Sequence, residues 1–294
     1  MNAVLLMAHG TPDTLDEMAE YLTIVRGGHP PSAALVEELR RNYAAIGGRS
    51  PLTELTQAQG AALQARLGPA VPVAVGMRNW RPYIGDAIAG LAARGATRIV
   101  SIPLAPQFST LSVQKYVDAA TRAAPSGVSV EAVGSFHDHP LLLDAFAERV
   151  RAAQPQPDER VIFTAHALPV RVVEAGDVYP REFAATARGV AERAGIAAYD
   201  TAFQSAGRTP EPWIGPALDE LIAVRASEGV RRFLVVPVGF VCDHTEILFD
   251  IDVQAARAAR EAGASLRRTG SLNASPTFIA MLEGLVREAT GFEP

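Results

Sequence analysis

The sequence predicts an α/β protein built from two similar halves, each a parallel sheet flanked by helices. Three observations predict it. Short apolar runs rich in β-branched residues alternate with longer amphipathic stretches, the pattern of βαβ units. Residues 3–12, AVLLMAHGTP, and 160–169, RVIFTAHALP, are both apolar runs ending in Ala-His-x-x-Pro. Residues 95–104, GATRIVSIPL, and 229–238, GVRRFLVVPV, share a Gly, an Arg three residues on, an apolar run and a proline in the same place. The two matches occur in the same order, so the chain repeats itself once.

The elements follow in order. A first strand occupies the start of the chain: MNAVLLMAHG has no basic segment before its apolar run, unlike a signal peptide. RGGHPP, 26–31, is a loop before a helix over 32–45, and GGRSP, 47–51, is a tight turn before a helix over 53–67. VPVAVGM, 71–77, is a strand. A helix over 82–94 ends near Gly95, a C-cap residue. Residues 95–104 hold a strand, 111–124 a helix, 128–134 a strand and 140–153 a helix. QPQPDE, 154–159, is polar, proline-rich and aperiodic, so the domains divide there: 1–153 and 154–294. The second half holds a strand in 160–169, a helix over 180–194, a strand near 197–203 and a helix over 215–228. Phe233–Val238 then reads as a strand buried on both faces, with Pro237 at its end, where a missing ladder donor costs little. Gly239 lets the chain turn. Residues 246–261 are predicted as one helix. A terminal helix over 276–290 is free to pack back on the first domain.

Composition narrows the function. The chain has 294 residues, 48% of them hydrophobic, and a net charge of −5. That balance excludes the basic face of a nucleic-acid binder. No apolar run approaches the roughly 20 residues of a membrane helix. The one cysteine, Cys242, excludes an intramolecular disulfide and a Cys-based zinc cage, and fits a reducing, cytoplasmic setting.

The residues that can carry chemistry gather at strand ends, where open α/β sheets bind ligands. His9 and His166 end equivalent strands, and His244 follows another. Glu246, Asp250 and Gln254, spaced four apart, form a polar ridge on the helix, with Asp243 or Thr245 as its cap. His166 with Glu246 suits either a divalent metal such as iron or a proton acceptor. Fewer than four protein ligands would leave coordination positions open. Taken alone, each histidine equally suits packing, and the acids a solvated helix start. HDH, 137–139, precedes Pro140 and is assigned to a surface loop. Arg26 is placed to bind a carboxylate, and Ser50 to cap a helix. Ser109, Thr110, Ser112 and Tyr116 surround a helix start whose amides suit an anion. Trp213, in a proline-flanked loop, can press on a flat ligand or fill a core. No HExxH, GxSxG or phosphate loop is present.

MAHGTP, IGGRSPL, LAPQFSTLSVQKY, TAHALP, FQSAGRTPEPWIGP and VPVGFVCDHTEILFDID together resemble the ferrochelatases, in the same order, from residue 4 to about 288. The resemblance implies two Rossmann-like, chelatase-type domains with the active cleft between them. It implies a lyase of haem biosynthesis that inserts Fe2+ into a porphyrin and releases two protons. His166 matches the family's active-site histidine and Glu246 its partner carboxylate, so both are implied as catalytic residues and metal contacts. His9 stands where short Gram-positive relatives have a tyrosine facing the metal, and is implied as a metal and porphyrin contact. Trp213 matches a tryptophan near the porphyrin, and Asp250 an acid on the outward ridge. Arg78-Asn79 replaces a Lys-His pair of some relatives, and Gln254 a glutamate, so two metal contacts are absent. The short, polar passage from RGGHPP to RNYAAIGGRSPL resembles the coproporphyrin III enzymes, which make coproheme, and makes Arg26, Ser50 and Tyr116 candidate propionate contacts. With no C-terminal cysteine cluster, no iron–sulfur cluster is expected. No cofactor is expected either, with Fe2+ as substrate. The expected partners are porphyrin and ferrous iron, with no nucleic acid and no membrane span, and the expected state is a monomer. The alternatives are a protoporphyrin IX ferrochelatase, another tetrapyrrole metal chelatase and a non-catalytic haem carrier.

Overall fold

The computed structural model describes residues 1–207 and 209–291. The chain forms two compact units. The first comprises Met1–Ala105, Leu111–Ser135 and the chain from Asn273 onward; the second comprises Pro106–Thr110 and Phe136–Leu272.

In the first unit, β1 (Asn2–Ala8) is buried from Ala3 to Ala8 because it has a parallel neighbour on each side and helices over both faces. A short 3-10 turn, Leu15–Glu17, carries a capping box between Thr14 and Glu17 and leads into α1 (Met18–Val25). Then come α2 (Ala33–Ala45), α3 (Leu52–Leu67), β2 (Val73–Met77), α4 (Ile84–Ala93), β3 (Arg98–Pro103), α5 (Val113–Ala123) and β4 (Ser129–Ala132). The strand order is β2-β1-β3-β4, all parallel. Leu5, Met7, Ile88, Leu91 and Ile99 form one core beneath α4 and α5. Gly95, at φ 89°, closes α4 as expected.

The second unit holds α6 (Pro140–Ala153), β5 (Glu159–His166), α7 (Val170–Glu174), α8 (Tyr179–Ala194), β6 (Tyr199–Gln204), α9 (Leu218–Ser227) and β7 (Arg232–Val236). Next come α10 (Thr245–Leu248), a π-helical turn (Asp250–Ala255), α11 (Ala256–Glu261) and β8 (Ser265–Arg268). Its order, β6-β5-β7-β8, repeats that of the first sheet, with β5 in the place of β1 and β7 in that of β3. The internal repeat therefore marks two sheets of one topology. The terminal helix, α12 (Pro276–Thr290), belongs to the first unit, packs on α3, and is tied there by an Arg66–Glu283 ion pair.

Two expectations are corrected. The units do not divide at 153/154. α6 packs on α8, so the boundary falls at 135/136, and QPQPDE joins two elements of the same unit. Composition marks a flexible connection, but packing decides which body it belongs to. The helix expected over 246–261 is broken into a short α10, a π turn and α11. Gly239 lies in the expected turn, and close approach adds a second requirement: a Cβ there would lie 2.7 Å from Ala165.

Candidate active site

The chemistry-bearing residues of the second unit converge on the C-terminal end of β5. There His166 Nε2 faces Glu246 Oε1 at 3.6 Å, both side chains partly exposed. The backbone explains the meeting. β7 leaves the sheet at Val236, Gly239 N–H bonds to Thr164 O at 3.1 Å, and the chain returns over β5 into α10. His244, not Asp243 or Thr245, caps α10: its Nδ1 accepts the Glu246 N–H at 3.2 Å. Asp243 instead pairs with Arg268 at 3.1 Å and accepts from Ser271 Oγ at 2.7 Å.

The imidazole of His166 is fixed from behind. Its Nδ1 lies 2.5 Å from the Ala167 carbonyl, which can only accept, so Nδ1 carries the proton and Nε2 is the nitrogen left for a metal or a transferred proton. The His166 N–H, past the end of β7, donates to the buried hydroxyl of Tyr179 at 3.1 Å. Burial disfavours a charged imidazole, but the Glu246 carboxylate outweighs it, helped by the Ala167 carbonyl and Asp250. The His166 pKa is raised from 6.5 to about 9. Asp250 moves the same way for a different reason. Burial and the nearby Glu246 charge push it to about 7, against a hydrogen bond from Ser205 and the pull of His166. His244 is held below its ordinary value, chiefly by burial.

The π turn sets how the ridge is used. Ile247 and Ile251 are buried in the core, while Asp250 is half-buried against Ser205 and Gln254 is exposed. Ser205 sits at φ 60°, a left-handed backbone unusual for serine, and donates to Asp250. Gln204 Nε2 donates to the Glu246 carbonyl at 2.7 Å, anchoring the segment that carries the carboxylate. Trp213 belongs to the same end of the sheet. Its loop pairs with the chain after β5 through Val170 N–H to Pro212 O and Ile214 N–H to Leu168 O, both 2.9 Å. Its ring lies against Gly207, where a Cβ would come within 2.6 Å.

The anion site expected near Ser109 and Thr110 exists, but the protein fills it. Asp177 Oδ2 accepts from Ser109 Oγ at 3.0 Å and from Thr110 N–H and Oγ1, both at 2.8 Å. Its other oxygen accepts the Tyr179 N–H at 3.0 Å. Asp177 thereby ties residues 106–110 to the tyrosine that holds His166. Nothing in the spacing of the sequence pointed to Asp177, Tyr179, Gln204 or Ser205, because each acts through backbone or buried hydrogen bonds. In the HDH stretch, His139 caps α6 and His137 lies 3.5 Å from Glu182.

The remaining candidates lie in the first unit. His9 follows β1; its Nε2 is 3.1 Å from Tyr21 Oη, and Asn79 Nδ2 lies 3.2 Å from its ring nitrogens. Tyr116 is a core residue, 7% exposed, with the Arg78 guanidinium 5.5 Å from its ring centre. Ser50 is buried and accepts the Leu52 N–H at 3.3 Å, while the N-cap position of α3 itself falls on Pro51. Arg26, exposed at the end of α1, donates to the His29 carbonyl at 3.3 Å. Among the described residues no three His, Cys, Asp or Glu side chains are grouped to hold a metal. The His166–Glu246 pair would leave most of an ion's coordination open.

Two like-ordered parallel sheets, with an imidazole and a carboxylate paired at a strand end, place the molecule in the chelatase class. Solved structures share this fold: SirB from Bacillus subtilis with Fe3+ (TM-score 0.63, 15% identity, covering 98% of this chain and 94% of that one). Another is the sirohydrochlorin chelatase SirB from Bacillus subtilis subspecies spizizenii in complex with cobalt (0.60, 13%, 99% and 95%). Sequence narrows the class. The ferrochelatase family model matches residues 1–290. The chain is 42% identical to a ferrochelatase of Acidobacterium capsulatum, covering 97% of this chain and 93% of the relative. It is 40% identical to one of Deinococcus radiodurans, covering 96% and 94%. It is also 37% identical to the coproporphyrin III ferrochelatase of Bacillus subtilis, covering 98% and 97%. The chain belongs to the ferrochelatase family, enzymes that insert iron into a porphyrin in haem biosynthesis. No helix among the described residues is long and apolar enough to cross a membrane.

Proposed function

We propose that this ferrochelatase acts on coproporphyrin III, giving coproheme, and that His166 and Glu246 handle both the iron and the protons. The observation that carries the chemistry is the 3.6 Å approach of His166 Nε2 to Glu246, with Nδ1 committed to the Ala167 carbonyl. Iron ligation needs the neutral imidazole, so metal entry expels the proton that the pair holds. When iron moves to the porphyrin, the pair regains its basicity and accepts a proton from a pyrrole N–H. Asp250, pushed to about 7 and next in line beyond Glu246, takes the second proton. Metal leaving and proton arriving are thus one exchange at a single pair. Trp213, Arg26, Ser50 and Tyr116 are proposed porphyrin contacts, and His9 a metal and porphyrin contact in the first unit.

Two features support coproporphyrin over protoporphyrin. The connection between α1 and α2, residues 26–32, is short, polar and mostly exposed, the feature by which the sequence resembles the coproporphyrin III enzymes. Relatives at 36–38% identity from Geobacillus, and the one from Bacillus subtilis, are coproporphyrin III ferrochelatases. In this reading the enzyme is a cytoplasmic monomer with no resident cofactor and no iron–sulfur cluster, since its single cysteine falls short of the four thiolates such clusters use. The deciding experiment is Fe2+ insertion into coproporphyrin III and protoporphyrin IX side by side. At least a tenfold higher kcat/KM for coproporphyrin is expected, and a preference for protoporphyrin overturns the assignment.

A further inference from the structure

Beside His9 the first unit holds a cation that no described carboxylate neutralises. Arg78 follows β2 and is half-buried. Its Nε donates to Asn79 Oδ1 over a long 3.4 Å, and its guanidinium carbon lies 5.5 Å from the Tyr116 ring centre. Among the described residues no carboxylate pairs with it, and its two terminal nitrogens make no hydrogen bond. Its neighbour Arg81 is the contrast. That guanidinium lies over Trp80 and is met by Glu20 at 2.8 Å and Glu17 at 3.7 Å. Arg40, Arg49, Arg66 and Arg98 of the same unit also pair with acids.

A partly desolvated guanidinium cannot shed its charge, and leaving it without an anion is costly. Its planar fork matches a carboxylate, and stacking on Tyr116 orients that fork without consuming its terminal donors. The same amide that receives the Arg78 Nε–H also faces the His9 ring, so Asn79 sets the guanidinium and the imidazole side by side. We infer that Arg78 binds a carboxylate of the porphyrin substrate, a propionate of the macrocycle that meets His9, and so selects for the more carboxylated porphyrin. The inference rests on the porphyrin reading above and adds a residue to it. Asn79, which replaces a metal-binding side chain of some relatives, then has a role of its own in aligning the pair.

The test is a fluorescence titration of the full chain with coproporphyrin III and with its tetramethyl ester, which has the same ring and no carboxylates, in the same detergent. A charged hydrogen-bonded contact is worth about ten- to a hundredfold in Kd. Arg78→Met should weaken coproporphyrin binding by that factor and leave the ester unchanged, with Arg78→Lys in between. Retained ester affinity shows that the variant is folded. An equal loss for both ligands, or no loss for coproporphyrin, overturns the inference. If the unaltered enzyme binds neither porphyrin, the substrate reading itself fails, an outcome distinct from the other two.

Discussion

His9 and His166 occupy the same place in two copies of one topology, yet their surroundings differ in kind. His9 meets a phenol and an amide, Tyr21 and Asn79. His166 meets a carboxylate, Glu246, with a second, Asp250, beyond it. The fold brings an imidazole to each strand end, and what faces it decides what it can do. Two acids near His166 favour its charged form. A phenol and an amide flank His9, and the neighbour of that amide, Arg78, carries a positive charge. The proposed metal and propionate roles divide along this difference.

Substitutions can break or sharpen this contrast. The largest effect is expected at the acidic pole: His166→Ala should lower kcat for insertion by ~1000-fold, the loss of a combined ligand and base. Porphyrin affinity in the same titration should stay within a few-fold. Next comes a change at the far end of the second sheet. Asp200 is half-buried, which favours its neutral form, but Arg160 and Arg225 overcome this and hold its pKa at about 2. A depressed carboxyl stabilises above its ordinary pKa of 3.8, and that contribution is lost as pH falls through about 2. Asp200→Asn should therefore cost ~2 kcal/mol at pH 7, read by denaturant unfolding, without changing insertion per folded molecule. Tyr179→Phe, which removes only the hydroxyl behind His166, should lower kcat about tenfold and leave the porphyrin KM unchanged. His9→Gln should cost less than about tenfold, because it removes one contact in the first unit and leaves the His166–Glu246 pair intact; a loss as large as that of His166→Ala would erase the distinction between the two histidines.

The smallest effect is one of pH. The folded pKa of His166, about 9, lies above its ordinary 6.5, so this contribution to stability is complete below 6.5 and disappears as pH rises through 9. Asp250, raised to about 7 from 3.8, shifts stability in the same direction at lower pH. The metal-free protein should lose a few degrees of Tm between pH 7 and pH 9, and His166→Gln should flatten that slope.

Much of this was legible in the sequence because it was written twice. Ala-His-x-x-Pro after two apolar runs located β1 and β5 and both histidines, and the matched proline runs located β3 and β7. Glu246 was legible because it stands at the start of the helix that follows a buried strand. The rest depended on packing. β8, SLRR, alternates exposed and half-buried residues at a sheet edge and carries too little apolar signal to stand out. The π turn keeps helical composition while changing the bond pattern, so periodicity read straight through it. Asp177 lies in a stretch with no functional spacing, and the three donors to its Oδ2 come from residues 109 and 110. A loop that looked ready for a ligand carried its own counter-charge some seventy residues downstream.

In the proposed mechanism Glu246 carries out the exchange with His166 while other groups hold the porphyrin. This is tested most directly by Glu246→Gln, which keeps size and packing and removes the charge. A single-turnover experiment should follow porphyrin fluorescence for binding and the haem absorption bands for insertion in the same sample. Binding is expected within a few-fold of the unaltered enzyme, with insertion slowed by ~1000-fold. Insertion at the normal rate from normally bound porphyrin would contradict it.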